Sequence, residues 1–206
     1  MTKRTIGAKR RLNETRILEA AERAFAERGY SAASTAAIAA MAGLPKANLH
    51  YYFRTKQALY RCVLENIIAK WVETSDPIRP DADPKTALSS YIAGKIDYSR
   101  LHPHASKVFA SEILHGAPTI AERLSGDLKI WLDGKCRVIE GWIAAGKMAR
   151  VDPRHLFFII WAATQTYADF DVQAAALLGQ RNLRTGDYQA ARDMVTAMVL
   201  AACGLA

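Results

Sequence analysis

Cysteine is scarce in this chain of 206 residues: Cys62, Cys136 and Cys203 are an odd number at wide spacing, with no C-x-x-C pair. That excludes a disulfide-stapled scaffold and suits a reducing, cytoplasmic compartment. No apolar run reaches the roughly 18 residues of a bilayer-spanning helix, so no membrane partner is expected. The opening MTKRTIGAKRR is charged but has no apolar segment behind it, and does not read as a signal peptide. Strand-like alternation is missing, as is any repeat of about 20–50 residues. There is no H-E-x-x-H pair, no G-x-S-x-G elbow and no glycine-rich phosphate loop. His102, His104, His115 and Glu112 gather around proline breaks without the spacing of a metal site. Enzymatic chemistry, a metal and a cofactor are therefore not expected.

Acidic residues are also scarce, and unevenly so. Residues 1–60 hold eleven Lys and Arg against four Glu, an excess of seven. The whole chain carries +8, so the other 146 residues contribute only +1. A compact basic region of this kind fits a polyanion-binding module. Half of the residues are hydrophobic, enough for a sizeable core.

Helical spacing dominates what is present. A basic, flexible arm is expected over residues 1–12. Ile17, Leu18, Ala21, Ala24 and Phe25 then predict a helix over 13–28, closed by Gly29. Ser34 or Thr35 can cap a second helix bearing Ile38, Ala39 and Ala42. Gly43 breaks it, and Pro45 suits the first turn of a third helix over 46–52, with Leu49 and Phe53 as core anchors. Thr55 caps a fourth helix, with Leu59, Val63, Ile67 and Trp71 on one face. Residues 75–84 read as a surface loop. Further helices are expected over 85–101, 104–115, 120–147 (with softening at Gly126, Gly134 and Gly141), 152–175 and 188–203. The fold class is all-α: a three-helix N-terminal unit over 13–55, then a larger helical domain over 56–206.

Residues 35–56, TAAIAAMAGLPKANLHYYFRTK, have the layout of a helix-turn-helix. A helix fits the major groove, where all four base pairs differ chemically. Its inward side here is Leu49 and Phe53. Its outward side is Lys46, Ala47, Asn48, His50 and Tyr51: Lys46 and Asn48 for base edges or backbone, His50 and Tyr51 for phosphate, sugar or thymine methyl, Ala47 for close approach. Thr35, at a helix start, and Lys56 are expected to grip phosphates. The partner is thus double-stranded DNA.

GLPKANLHYYFRTKQAL, with the frame ILEAAERAFAERGYSAASTAAIAAMAG, resembles the helix-turn-helix signature of TetR-type transcriptional regulators. His50 stands where that family often has tyrosine, and Pro45 where it often has serine. One reading head contacts too few base pairs to select a genomic site, so a homodimer on a palindromic operator is expected. The apolar, small-residue-rich last two helices are the candidates for its interface.

An effector site is expected within residues 60–175. Trp161 and Gln165 share one helical face in WAATQTYADFD, with Thr164 and Ala168 beside them: an indole wall, a carboxamide and a hydroxyl. Trp71, Tyr98, Phe109 and Trp142 are further possible walls. EILHGAP, LSGDLK, IEGWIAAGKMARVDPRHL and WAATQTYADF resemble one TetR-type branch, the pyrimidine-utilisation regulators. That resemblance implies a small-molecule effector, uracil or thymine, that weakens DNA binding. It also implies Trp161, Gln165 and Tyr167 as pocket-lining residues, with Trp71 and Phe109 nearby. A regulator of the same type with an unrelated effector, or a DNA-binding protein with none, would carry the same head.

Overall fold

The computed structural model describes residues 3–206, and among them every regular element is helical. The chain forms two compact units.

The first unit comprises residues up to Ile68 together with Lys107–Ile120. Its first helix, α1, runs Lys3–Ala32. Residues 3–12, expected as a free arm, continue that helix; residues 1–2 lie outside the described residues. Ile17, Ala21, Ala24 and Phe25 are buried as their spacing predicts. Gly29 kinks the helix, at φ 74° and ψ 164°, a region that essentially only glycine occupies. The kink turns Tyr30 onto Phe25 and Tyr60, with ring centroids 6.0 and 4.8 Å away. α2 (Thr35–Met41) and α3 (Lys46–Tyr52) follow. α4 (Lys56–Glu73) places Leu59, Tyr60, Val63, Leu64 and Ile67 in the core.

The first unit therefore does not end at residue 55. The apolar face of α4 has to be covered, and the later segment 107–120 belongs to the same compact body. α6 (Pro103–Leu114) supplies most of that segment. Its Glu112 is 4% exposed; it accepts from the Thr119 backbone N–H at 2.6 Å and from the Tyr60 hydroxyl. Burial, reinforced by the Glu112 charge, pushes the Tyr60 phenol well above its usual range.

The second unit comprises Ala69–Ser106 and Ala121–Ala206. α5 (Pro84–Leu101) starts at an Asp83 cap, whose carboxylate accepts from the Thr86 N–H and hydroxyl. One long helix was expected over 120–147. The chain instead forms α7 (Ala121–Arg123), a wide π-type turn over Leu124–Leu128, and α8 (Lys129–Ala144). The break is at Gly126, whose ψ of −108° leaves the helical region, whereas Gly134 and Gly141 stay within α8. The helix expected over 152–175 likewise divides at Phe170, into α9 (Pro153–Asp169) and α10 (Asp171–Leu177). α11 (Thr185–Ala202) closes the chain.

Tyr91, Ile92, Ile96, Ile139, Trp142, Phe157, Ile160, Val195 and Val199 fill the core of this unit. The 75–84 loop is pinned to α8: Lys135 Nζ donates to the Ser75 and Ile78 carbonyls, and Trp131 Nε1 to Ser75 Oγ. Cys62, Cys136 and Cys203 are free, and burial raises all three thiols, disfavouring the reactive thiolate. Among the described residues, no helix is long and apolar enough to cross a membrane.

Candidate nucleic-acid interface and effector site

The reading helix is held from behind and bare in front. Leu49 is fully buried and Phe53 nearly so, while Lys46, Ala47, Asn48, His50 and Tyr51 are exposed, Tyr51 by 73%. Tyr52 is half-buried, and its hydroxyl accepts from Asn13 Nδ2 at 3.3 Å, which moors α3 to α1. Gly43 makes the turn between α2 and α3 at φ 65°. A Cβ there would stand 2.8 Å from Arg16 Nη2. The Gly43 and Leu44 N–H groups return to the Ala40 and Ala39 carbonyls, satisfying the end of α2.

Two expected phosphate contacts stand differently. Ser34, not Thr35, caps α2: its hydroxyl accepts from the Ala37 N–H at 3.1 Å, and Thr35 sits half-buried in the first turn. The Lys56 ammonium turns onto its own chain. It donates to the carbonyls of Tyr30 (2.8 Å), Ser31 (3.2 Å) and Ala33 (3.2 Å), and lies 4.5 Å from the Tyr30 ring centroid. Those three bonds occupy its three donors. Sequence reasoning missed this because the acceptors lie 23–26 residues upstream, at the kinked end of α1.

In the second unit, two helix stripes face each other. On α9, Trp161, Gln165 and Asp169 succeed one another at four-residue spacing; on α5, Tyr91, Lys95 and Ser99 do the same. Trp161 Nε1 donates to the Tyr91 hydroxyl at 2.7 Å, and Ser99 Oγ donates to the Thr164 carbonyl at 2.9 Å. Asp169 accepts from Ser106 Oγ at 2.5 Å. Gln165, half-buried, stands between these pairs, one helical turn from each of its stripe neighbours. Trp161 is also bordered by the rings of Trp131, Phe157 and Phe158.

Lys95, which sequence reasoning passed over, sits in the middle of this arrangement. It is 3% exposed, and its Nζ lies 4.2 Å from the centroid of the Trp71 ring. Burial pulls its ammonium down to about 7, with the Asp169 charge working in the opposite direction. In the sequence only its place one turn after Tyr91 and one turn before Ser99 marked it.

Trp71 and Trp161 thus flank these stripes through Lys95 and Tyr91 respectively, and Gln165 lies half-buried on the α9 stripe. The Tyr167 ring approaches Tyr188 of α11 at 6.4 Å. Phe109 lies in the part of α6 assigned to the first unit. No group of three or more His, Cys, Asp or Glu among the described residues is arranged to hold a metal. Glu112 is engaged with Thr119 and Tyr60, and His115 Nδ1 with the Ser111 carbonyl at 2.7 Å.

A bare reading helix on a basic three-helix head, ahead of an all-helical second unit, defines a class of DNA-binding regulators. Residues 17–63 match the profile of bacterial regulatory proteins of the tetR family, and residues 64–206 that of the C-terminal region of YcdC-like proteins. The chain belongs to the TetR family and is a transcriptional regulator, not an enzyme. Regulators of this family bind DNA and small-molecule effectors as dimers.

Among individual proteins, it is 43% identical over 176 residues to the HTH-type transcriptional regulator RutR of Escherichia coli, spanning 85% of this chain and 81% of that one. It is 34% identical over 100 residues to the HTH-type transcriptional repressor NicS of Pseudomonas putida, 48% of this chain and 47% of that one. A TetR family transcription regulator from Marinobacter aquaeolei shares the fold, with TM-score 0.71 at 16% identity, over 92% of this chain and 96% of that one.

Proposed function

We propose that this regulator is a cytoplasmic repressor that leaves a palindromic operator when uracil, thymine or a closely related heterocycle binds the second unit. The observation that carries the reading is the Trp161–Gln165–Asp169 stripe facing Tyr91 and Lys95, a row of polar groups set into an apolar core. Such groups cost free energy to bury unless they are hydrogen-bonded, and the bonds to Tyr91 and Ser106 hold Trp161 and Asp169 in place on that row. A carboxamide, which both donates and accepts, suits a ring carrying alternating N–H and C=O groups. Aromatic walls at Trp71 and Trp161 suit a flat one. The resemblance to the pyrimidine-utilisation branch points the same way.

The reading residues are Lys46, Ala47, Asn48, His50 and Tyr51, with Thr35 at the start of α2. Release requires the effector to favour a conformation in which paired heads no longer match successive major grooves. The pairing surface is the outer side of the last long helices. Phe158 and Ile159 of α9, with Met194 and Met198 of α11, are exposed by 46–62%, more apolar surface than isolated helix positions ordinarily show. A second copy of the chain would cover them.

Titrating the protein–operator complex with uracil or thymine tests the reading. Loss of the complex is expected, and retention at saturating base would overturn it.

A further inference from the structure

Resting on the effector reading above, we infer that Lys95 selects the effector: its ammonium donates a charged hydrogen bond to an oxygen of the bound ring, so that binding takes up a proton. The inference starts from an anomaly. A lysine ammonium is the most strongly hydrated of the basic groups, and this one is 3% exposed in the interior of the second unit. What faces it is an incomplete replacement for water. From α4 comes the Trp71 ring, at 4.2 Å. Trp71 itself is bordered by the Tyr98 ring of α5, with centroids 6.2 Å apart. From α6 comes Ser106, which spends its hydroxyl proton on Asp169. From α9 comes Asp169, the carboxylate whose charge supports Lys95.

One carboxylate and one aromatic face are a poor exchange for water, and burial pulls the ammonium well below its ordinary value, to about 7. A group so poised, beside an indole and one turn from Gln165's facing stripe, is suited to a ligand that supplies the missing acceptor. A ring imide or amide oxygen does so, and the closer it is to an anion the better it serves. The selected class is thus a flat, weakly acidic heterocycle that presents an oxygen to Lys95, rather than an amine or a purely apolar ring.

The sign of the coupling follows. An acceptor oxygen favours the ammonium, so the pKa of Lys95 is higher in the complex than in the free protein. Below about pH 6 both forms are protonated and affinity is flat. Above about pH 7 the free protein has lost the proton that the complex keeps, so affinity falls with rising pH, by at most about tenfold per unit.

Isothermal calorimetry with uracil, in paired buffers of different ionisation heat at about pH 6 and pH 8, reads this proton directly. Uptake of a substantial fraction of one proton per protomer is expected at the higher pH and almost none at the lower. Lys95→Met should lose about tenfold or more in affinity near pH 7 and all of the uptake. Lys95→Gln, which keeps a donor without the charge, should recover part of the affinity and none of the uptake. Binding by the native protein without uptake at either pH would overturn the role of Lys95 while leaving the effector reading intact. So would equal affinity in both variants. No binding of uracil or thymine by the native protein at any pH would overturn the effector reading, and this inference with it.

Discussion

Replacing Lys56 by methionine removes three donors from the carbonyls of Tyr30, Ser31 and Ala33 while keeping much of the stem that lies on the Tyr30 ring. The expected cost is about 1–2 kcal/mol of stability, seen as a lower unfolding midpoint, with the salt dependence of DNA binding unchanged. Lys46→Ala is the contrast: stability is kept, and the slope of log affinity against log salt falls by about one. Asn48→Ala should instead cost about 1–3 kcal/mol of discrimination at particular base pairs. A common loss of salt slope in both lysine variants would put Lys56 back on the phosphate backbone. Lys95 has a signature of its own that needs no ligand. Its folded pKa of about 7 lies below that of the unfolded chain, so between roughly 7 and 10 the unfolded state binds more protons and stability rises with pH. Lys95→Met should flatten that rise in denaturant titrations at paired pH values.

Among the elements, the tie between α4 and α6 within the first unit rests on one buried carboxylate. Glu112→Leu strands the Thr119 N–H and the Tyr60 hydroxyl together, and about 2–3 kcal/mol should be lost in thermal unfolding. The short helices were legible in the sequence because their punctuation is local: a serine cap, Gly43, Pro45, and apolar residues at helical spacing. The interruption at Phe170 was not, and the one at Gly126 was legible only as one of three glycines where that helix could soften. Gly126 resembles Gly134 and Gly141 in its surroundings in sequence, and only the packing of the chain decides which of the three departs from the helix. The candidate effector stripe was half legible. Trp161 and Gln165 announce themselves four residues apart on α9, but their counterpart, Lys95, lies on a helix 66 residues earlier than Trp161 and reads as an ordinary surface lysine. Tyr167 came in through the family resemblance alone, and its ring approaches Tyr188 of α11.

At the scale of the whole molecule, charge and apolar surface are separated along the chain. Nearly all of the basic excess falls within residues 1–60, and the exposed methionine, phenylalanine and isoleucine side chains of α9 and α11 come after residue 150. Introducing Ile159→Glu together with Met198→Glu, at positions already exposed by 60% or more, should leave the fold intact and convert the protein to monomers in light scattering. Operator affinity should then fall steeply, because each head alone reads half a site. A dimer that persists in this variant would move the pairing surface elsewhere.

The order in which the polypeptide builds its first body has a practical outcome for anyone wishing to cut or graft this regulator. Because Lys107–Ile120 returns to join the residues before Ile68, the DNA-reading body is not a continuous stretch of gene. A fragment ending at residue 68 would leave the Tyr60 hydroxyl without its carboxylate and the apolar side of α4 bared to water. A chimera meant to exchange operators between relatives has to transplant both stretches, or it will inherit a reading body with a missing wall.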